Sequence, residues 1–198
     1  MLRLDRVGKR VGHLQIIDEV SLHVGPGEIV CVTGPSGAGK TTLLEIMAGL
    51  LAPDSGWVER EVPLSLAFQD DALLPWLSAD GNLDYALSLL PGAERKRRAL
   101  YWLDRFGLDG RARPETMSGG MRRRLNLARA FALERPLLLL DEPYAFLDRP
   151  WQDKVTDEVR RLAAEGGTVV MISHQTEALE NLPCRMLPVT AAPIRLEG

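Results

Sequence analysis

The chain has 198 residues, with 24 Lys and Arg against 27 Asp and Glu, a formal charge of −3. That length supports one domain with a substantial core, and 45% apolar with 26% charged residues argues against disorder. The slightly acidic balance offers no global basic field for nucleic acid, and no run approaches the roughly 18 apolar residues of a membrane span. Met1-Leu2-Arg3-Leu4-Asp5-Arg6 is charged throughout, unlike a secretory leader. Two cysteines, Cys31 and Cys184, provide neither a disulfide framework nor zinc-ligand spacing, which fits a reducing compartment.

In chain order, short strands are expected at residues 2–4, 15–17, 20–24 and 28–33, with Gly25-Pro26-Gly27 as the turn before the last. A glycine-rich loop, 34–39, opens a helix over 40–50 whose apolar face carries Leu43, Leu44, Met47 and Leu50. Ala52-Pro53-Asp54-Ser55-Gly56 should end it, and 64–68 reads as a strand. From about 78 to 134 the pattern is helical and arginine-rich, as expected of a subdomain inserted into an α/β core. Residues 137–140 are four leucines, the composition of a strand buried on both faces of a parallel sheet. A helix over 151–165, a stop at Gly166-Gly167 and a strand over 168–173 complete a mainly parallel arrangement.

Gly34-Pro35-Ser36-Gly37-Ala38-Gly39-Lys40-Thr41 matches G-x-x-x-x-G-K-[ST] after a predicted strand and before a predicted helix. Glycines let backbone N–H groups converge on phosphate oxygens without interfering Cβ atoms. Lys40 supplies charge to the outer phosphates, Thr41 a hydroxyl to Mg²⁺, and the helix start, including Thr42, its dipole. Downstream, the leucine strand ends in Asp141 and Glu142. Adjacent strand residues point to opposite faces, so the two acids should do different work. Asp141 is the expected metal carboxylate and Glu142 the general base for an attacking water. Ser118 is a candidate N-cap, and Gly119 and Gly120 behind it suit a helix start that something approaches closely.

Taken together, the phosphate loop, Phe68-Gln69, Ser118-Gly119-Gly120, Asp141-Glu142, Leu147-Asp148 and Ser173-His174 occur in an order that resembles the nucleotide-binding subunit of ABC transporters. The resemblance covers about residues 2–189. It implies a P-loop NTPase core of mainly parallel sheet, an N-terminal antiparallel β part and an inserted helical subdomain, in a single domain spanning 1–198. It implies ATP and Mg²⁺, with Gln69 sensing metal and water and coupling to the membrane subunit. Ser118, Gly119 and Gly120 would be the signature motif that closes over ATP held by another subunit. Asp148 would act across that dimer, and His174 would meet the γ-phosphate.

The sequence departs from the family at Met117, where leucine is usual, and at Met121 and Arg123, where glutamines are common. Val11 falls where an aromatic residue would stack on adenine, and no Phe, Tyr or Trp precedes Trp57. Phe68-Gln69-Asp70-Asp71-Ala72-Leu73-Leu74-Pro75-Trp76 and the following Ser118-Gly119-Gly120-Met121-Arg122 look like those of importers for nitrate, sulfonates and taurine. The implied partners are a transmembrane permease, a second ATP-binding subunit (identical or not) and, indirectly, a solute-binding protein, at the cytoplasmic face of the membrane. No nucleic-acid partner is expected, because the runs Arg95-Lys96-Arg97-Arg98 and Arg122-Arg123-Arg124 read as solvated helix faces. Two alternatives are a catalytically weak regulatory subunit and a soluble ATPase of the same class not linked to transport.

Overall fold

A computed structural model describes residues 1–180 and 182–196; positions 181, 197 and 198 of the expected domain lie outside it. Strands β1 (Leu2–Val11) and β2 (Leu14–Val24) pair antiparallel. The two pieces expected at 15–17 and 20–24 are one strand. An extra residue of β2 between Ile17 and Val20 shifts its register against β1, and Glu19 there has a φ of 51°. A strand that sequence reading did not anticipate, β4 (Ser55–Arg60), pairs on the other edge of β1. None of its side chains is fully buried, so no apolar alternation marks it.

The second sheet is wholly parallel, in the order β5 (Leu64–Ala67), β6 (Leu137–Asp141), β7 (Thr168–Ser173), β3 (Ile29–Thr33), β8 (Arg185–Pro188). The edge strand β8 is also new to the structure; half its residues are exposed. Leucines of β6 alternate as their period of two requires. Leu137 and Leu139 pack with α1 (Lys40–Ala48) and the antiparallel sheet, and Leu138 and Leu140 pack with the helical side. Each contributes about 1.5–3 kcal/mol through burial. Helix α1 stops earlier than expected, at Gly49, whose φ of 78° closes the last turn.

Helices α2 (Ala79–Ala86), α3 (Gly92–Arg105) and α4 (Gly119–Ala132) occupy the stretch expected to be helical. Trp102, Phe106 and Phe131 stack between α3 and α4 with ring centroids 5.4–6.0 Å apart. Helix α5 (Arg149–Ala164) covers the same face of the sheet. This arrangement leaves the carboxyl ends of β3, β5, β6 and β7 at one edge, where ligands of open α/β sheets bind.

Candidate nucleotide site

Four strand ends deliver the expected residues to one place. After β3 the chain turns through Gly34, whose φ of 148° and close approach to the Val189 carbonyl leave no room for a Cβ. Gly39, with a φ of 94°, precedes α1, and no side chain caps that helix. The N–H groups of Lys40, Thr41 and Thr42 are therefore available to an anion at the helix start. The Lys40 ammonium is buried and donates to the carbonyls of Gly34 (2.9 Å) and Pro35 (2.8 Å), which aims it back across its own loop.

The two acids take different partners, although strand alternation is not the cause, because β6 ends at Asp141 and Glu142 lies just beyond it. Asp141 is buried, and its Oδ2 accepts from the Thr41 hydroxyl at 2.9 Å. Its Oδ1 is buried without a partner. Burial pushes the Asp141 carboxyl above its ordinary value, with the Thr41 hydroxyl working against that shift. An orphaned carboxylate oxygen beside a hydroxyl is a donor set that fits a hard divalent cation. Glu142 lies on the other side. Its Oε2 is 2.9 Å from Nδ1 of His174 and accepts from the His174 backbone N–H at 3.2 Å. Glu142 holds a φ of 49°, a left-handed conformation that costs a non-glycine residue about 1–3 kcal/mol. Its backbone N–H donates to Ile172 of β7 at 2.9 Å.

A cleft of about 730 Å³ opens over these groups, lined by Ser36, Gly37, Gly39, Lys40, Thr41, Thr42, Gln69, Glu142 and His174. Val11, 57% exposed, and Ile16 line it from the antiparallel sheet. Ser118, Gly119, Gly120 and Asp148 do not line this cleft. Ser118 caps α4 by accepting from Met121 N–H at 3.2 Å, the predicted role. Asp148 caps α5, accepting from Trp151 N–H at 3.3 Å.

Three residues of the site region carried no sequence signal of their importance. Phe146, 78% exposed with a φ of 62°, lines the cleft and lies over the glycines of α4. A Cβ on Gly120 would stand 2.8 Å from its carbonyl oxygen. The close neighbour that Gly120 must accommodate is therefore within this chain. Arg123 is fully buried and reaches the carbonyls of Phe68, Gln69, Asp141 and Glu142. Asn82, also fully buried, bonds both the N–H and the carbonyl of Leu74 and the carbonyls of Leu77 and Ser78. An arginine inside a basic run and an asparagine inside a helix look like surface residues until the fold places them.

A nucleotide cleft at the carboxyl ends of a parallel sheet, with a phosphate loop and a carboxylate pair, defines a P-loop ATPase. Residues 17–145 match the ABC transporter family. The taurine import ATP-binding protein TauB of Chromobacterium violaceum is 39% identical, over 98% of this chain and 80% of that protein. The sulfate/thiosulfate import ATP-binding protein CysA 2 of the same organism is 37% identical, over 96% of this chain and 56% of that protein. Among solved structures, dimeric MJ0796, a bacterial ABC transporter cassette, superposes with a TM-score of 0.91 at 28% identity, covering 100% of this chain and 97% of that one. The post-hydrolysis dimer of MJ0796 bound to ADP and Pi gives 0.89 at 28% identity, with each chain fully covered. The chain belongs to the ABC transporter family as an ATP-binding cassette, and its activity is ATP hydrolysis.

Proposed function

We propose that this chain is the ATP-hydrolysing subunit of an importer, working as a head-to-tail dimer beneath a transmembrane permease at the cytoplasmic face of the membrane. The observation that carries this reading is a division of groups. One cleft gathers the phosphate loop, Gln69, Glu142 and His174, whereas Ser118, Gly119, Gly120 and Asp148 stand outside it. A second cassette then supplies those four to each bound ATP, so that closing the pair completes two sites. No helix of the described residues is long and apolar enough to cross a membrane.

Within each site the loop from Gly34 to Gly39 and the N–H groups of Lys40, Thr41 and Thr42 hold the phosphates, and Lys40 balances their charge. Thr41, Asp141 and Gln69 would hold Mg²⁺, which neutralises charge building on the outer phosphates. Glu142 takes the proton of the attacking water. Its Oε2 is occupied by His174, which leaves Oε1 to accept. His174 sits at the γ-phosphate end, and Gln69 reports the state of that end to the permease. Higher affinity of the closed dimer for ATP shifts the permease toward its other conformation, and hydrolysis returns it.

The permease face is proposed at the loop after Gln69, where the helical subdomain of about 78–134, part of a single domain over 1–198, would meet the permease. Asn82 pins the backbone of Leu74, Leu77 and Ser78, which leaves Trp76 68% exposed at the tip. The solute is a small sulfonate such as taurine or a related oxyanion such as nitrate, delivered to the permease by a solute-binding protein. The likeness to TauB and CysA 2 supports that class. The test is uptake into proteoliposomes holding this chain with a candidate permease from the same organism and its solute-binding protein. ATP-driven accumulation of taurine or nitrate is expected; brisk ATPase activity that no permease stimulates would overturn the transport reading.

A further inference from the structure

We propose that Arg123 is a positioning residue for hydrolysis, a buried clamp that fixes the Gln69 loop and the Glu142 strand end in one geometry. The inference rests on the reading of Glu142 as base. Its guanidinium is divided between two neighbouring strand ends. Nη1 donates to the carbonyl of Phe68 at 2.5 Å and lies 3.4 Å from that of Gln69, just after β5. Nη2 donates to the carbonyls of Asp141 and, at 2.7 Å, Glu142, at the end of β6. The four terminal N–H donors of one planar group meet four carbonyls.

Among the described residues the carboxylate that faces Arg123 is Asp71, whose Oδ1 is 3.9 Å from Nη1, a long ion pair, and Nε is buried without an acceptor. A cation fully removed from water and solvated mainly by backbone carbonyls is costly unless that geometry is held tightly. Neighbouring residues of α4 reinforce the grip on the same loop. Asn126 donates to the Phe68 carbonyl at 2.9 Å, and Arg129 to that of Ala72 at 2.8 Å. On the other side, the clamped carbonyl of Glu142 belongs to a residue in a left-handed conformation, which persists only where its surroundings determine it.

A glutamine at this position, common in the family, has two amide donors on one nitrogen against four on the two terminal nitrogens of arginine, so it would satisfy only part of this set of carbonyls. Arginine thus welds the helix that begins at Ser118 to both catalytic loops. The phosphate loop is not among its partners, so the clamp governs turnover and leaves nucleotide binding alone.

The test compares the wild-type chain with Arg123→Met, Arg123→Gln and Arg123→Lys, measuring ATP affinity by calorimetry, turnover by phosphate release, and amide exchange by mass spectrometry. Turnover per folded molecule should fall roughly 10–100-fold in the Met and Gln variants, as small misplacements of catalytic groups do. ATP affinity should stay within about threefold, and exchange should rise at 68–71 and 141–143 while 34–42 remains protected. A lysine side chain is a shorter, single-nitrogen cation, so Arg123→Lys should fold and recover only part of the rate. If Arg123→Met fails to fold, the Lys and Gln variants carry the same comparison. In a Glu142→Gln background Arg123→Gln should cost little further rate, because the group it positions has lost its function. Turnover unchanged in all folded variants, or ATP affinity lost in step with turnover, would overturn the clamp. Normal turnover in Glu142→Gln alone overturns the base reading instead, and exchange at the two loops still judges the clamp.

Discussion

Lys40 and Val11 line the same cleft and make opposite predictions. The buried Lys40 ammonium is the fixed charge of the phosphate loop, so Lys40→Ala should abolish measurable ATP binding by calorimetry and turnover with it. Near-normal values for both would remove the phosphate-loop assignment. Val11 faces the cleft from the end of β1 and offers no ring to a base. Stacking on an aromatic side chain contributes roughly 1–3 kcal/mol in nucleic-acid complexes. At 1.4 kcal/mol per factor of ten, Val11→Tyr should tighten ATP about tenfold or more. The wild type should discriminate poorly between ATP and GTP, since contacts to the triphosphate are blind to the base. Unchanged affinity in Val11→Tyr, with strong native preference for ATP, would place the base elsewhere.

Among elements, the segment between β5 and α2 separates scaffold from surface most sharply. Asn82 replaces a turn of regular structure with four side-chain bonds, and Asn82→Ala strands the N–H and carbonyl of Leu74. Unfolding in urea should show a loss of about 1–3 kcal/mol, and an unchanged midpoint would mean that water satisfies the loop equally well. Trp76→Ala should leave stability within about 0.5 kcal/mol, because the ring is mostly exposed, yet weaken co-purification with the permease. Intact assembly alongside a lowered melting temperature would make Trp76 a packing residue. The strands show what was legible in the sequence. The buried strands β3, β6 and β7 announce themselves as apolar runs. β4 and β8 do not, because edge strands with exposed faces are defined by pairing with β1 and β3 and not by their own composition. Motif residues are likewise readable, since phosphate and metal chemistry restricts both type and spacing. Arg123, Asn82 and Phe146 act on backbone atoms brought from elsewhere in the chain, and no local pattern records that.

At the scale of the molecule, the parallel sheet sets four strand ends side by side, and the antiparallel sheet adds one wall of the cleft. Ser118, Gly119 and Gly120, at the start of α4, do not line that cleft, and in the proposed dimer a lone cassette holds only half of each site. The central claim is that ATP is enclosed between two cassettes and hydrolysed with Glu142 as base. Glu142→Gln keeps the shape of the side chain and removes the base, which should slow turnover about 10²–10⁴-fold while leaving the phosphate contacts in place. Light scattering of that variant with ATP and Mg²⁺ is the most direct measurement. The account predicts that its mass about doubles on adding ATP, more completely than for the wild type, which hydrolyses its way back to monomer. A variant that stays monomeric with ATP and hydrolyses it at the wild-type rate would contradict the account.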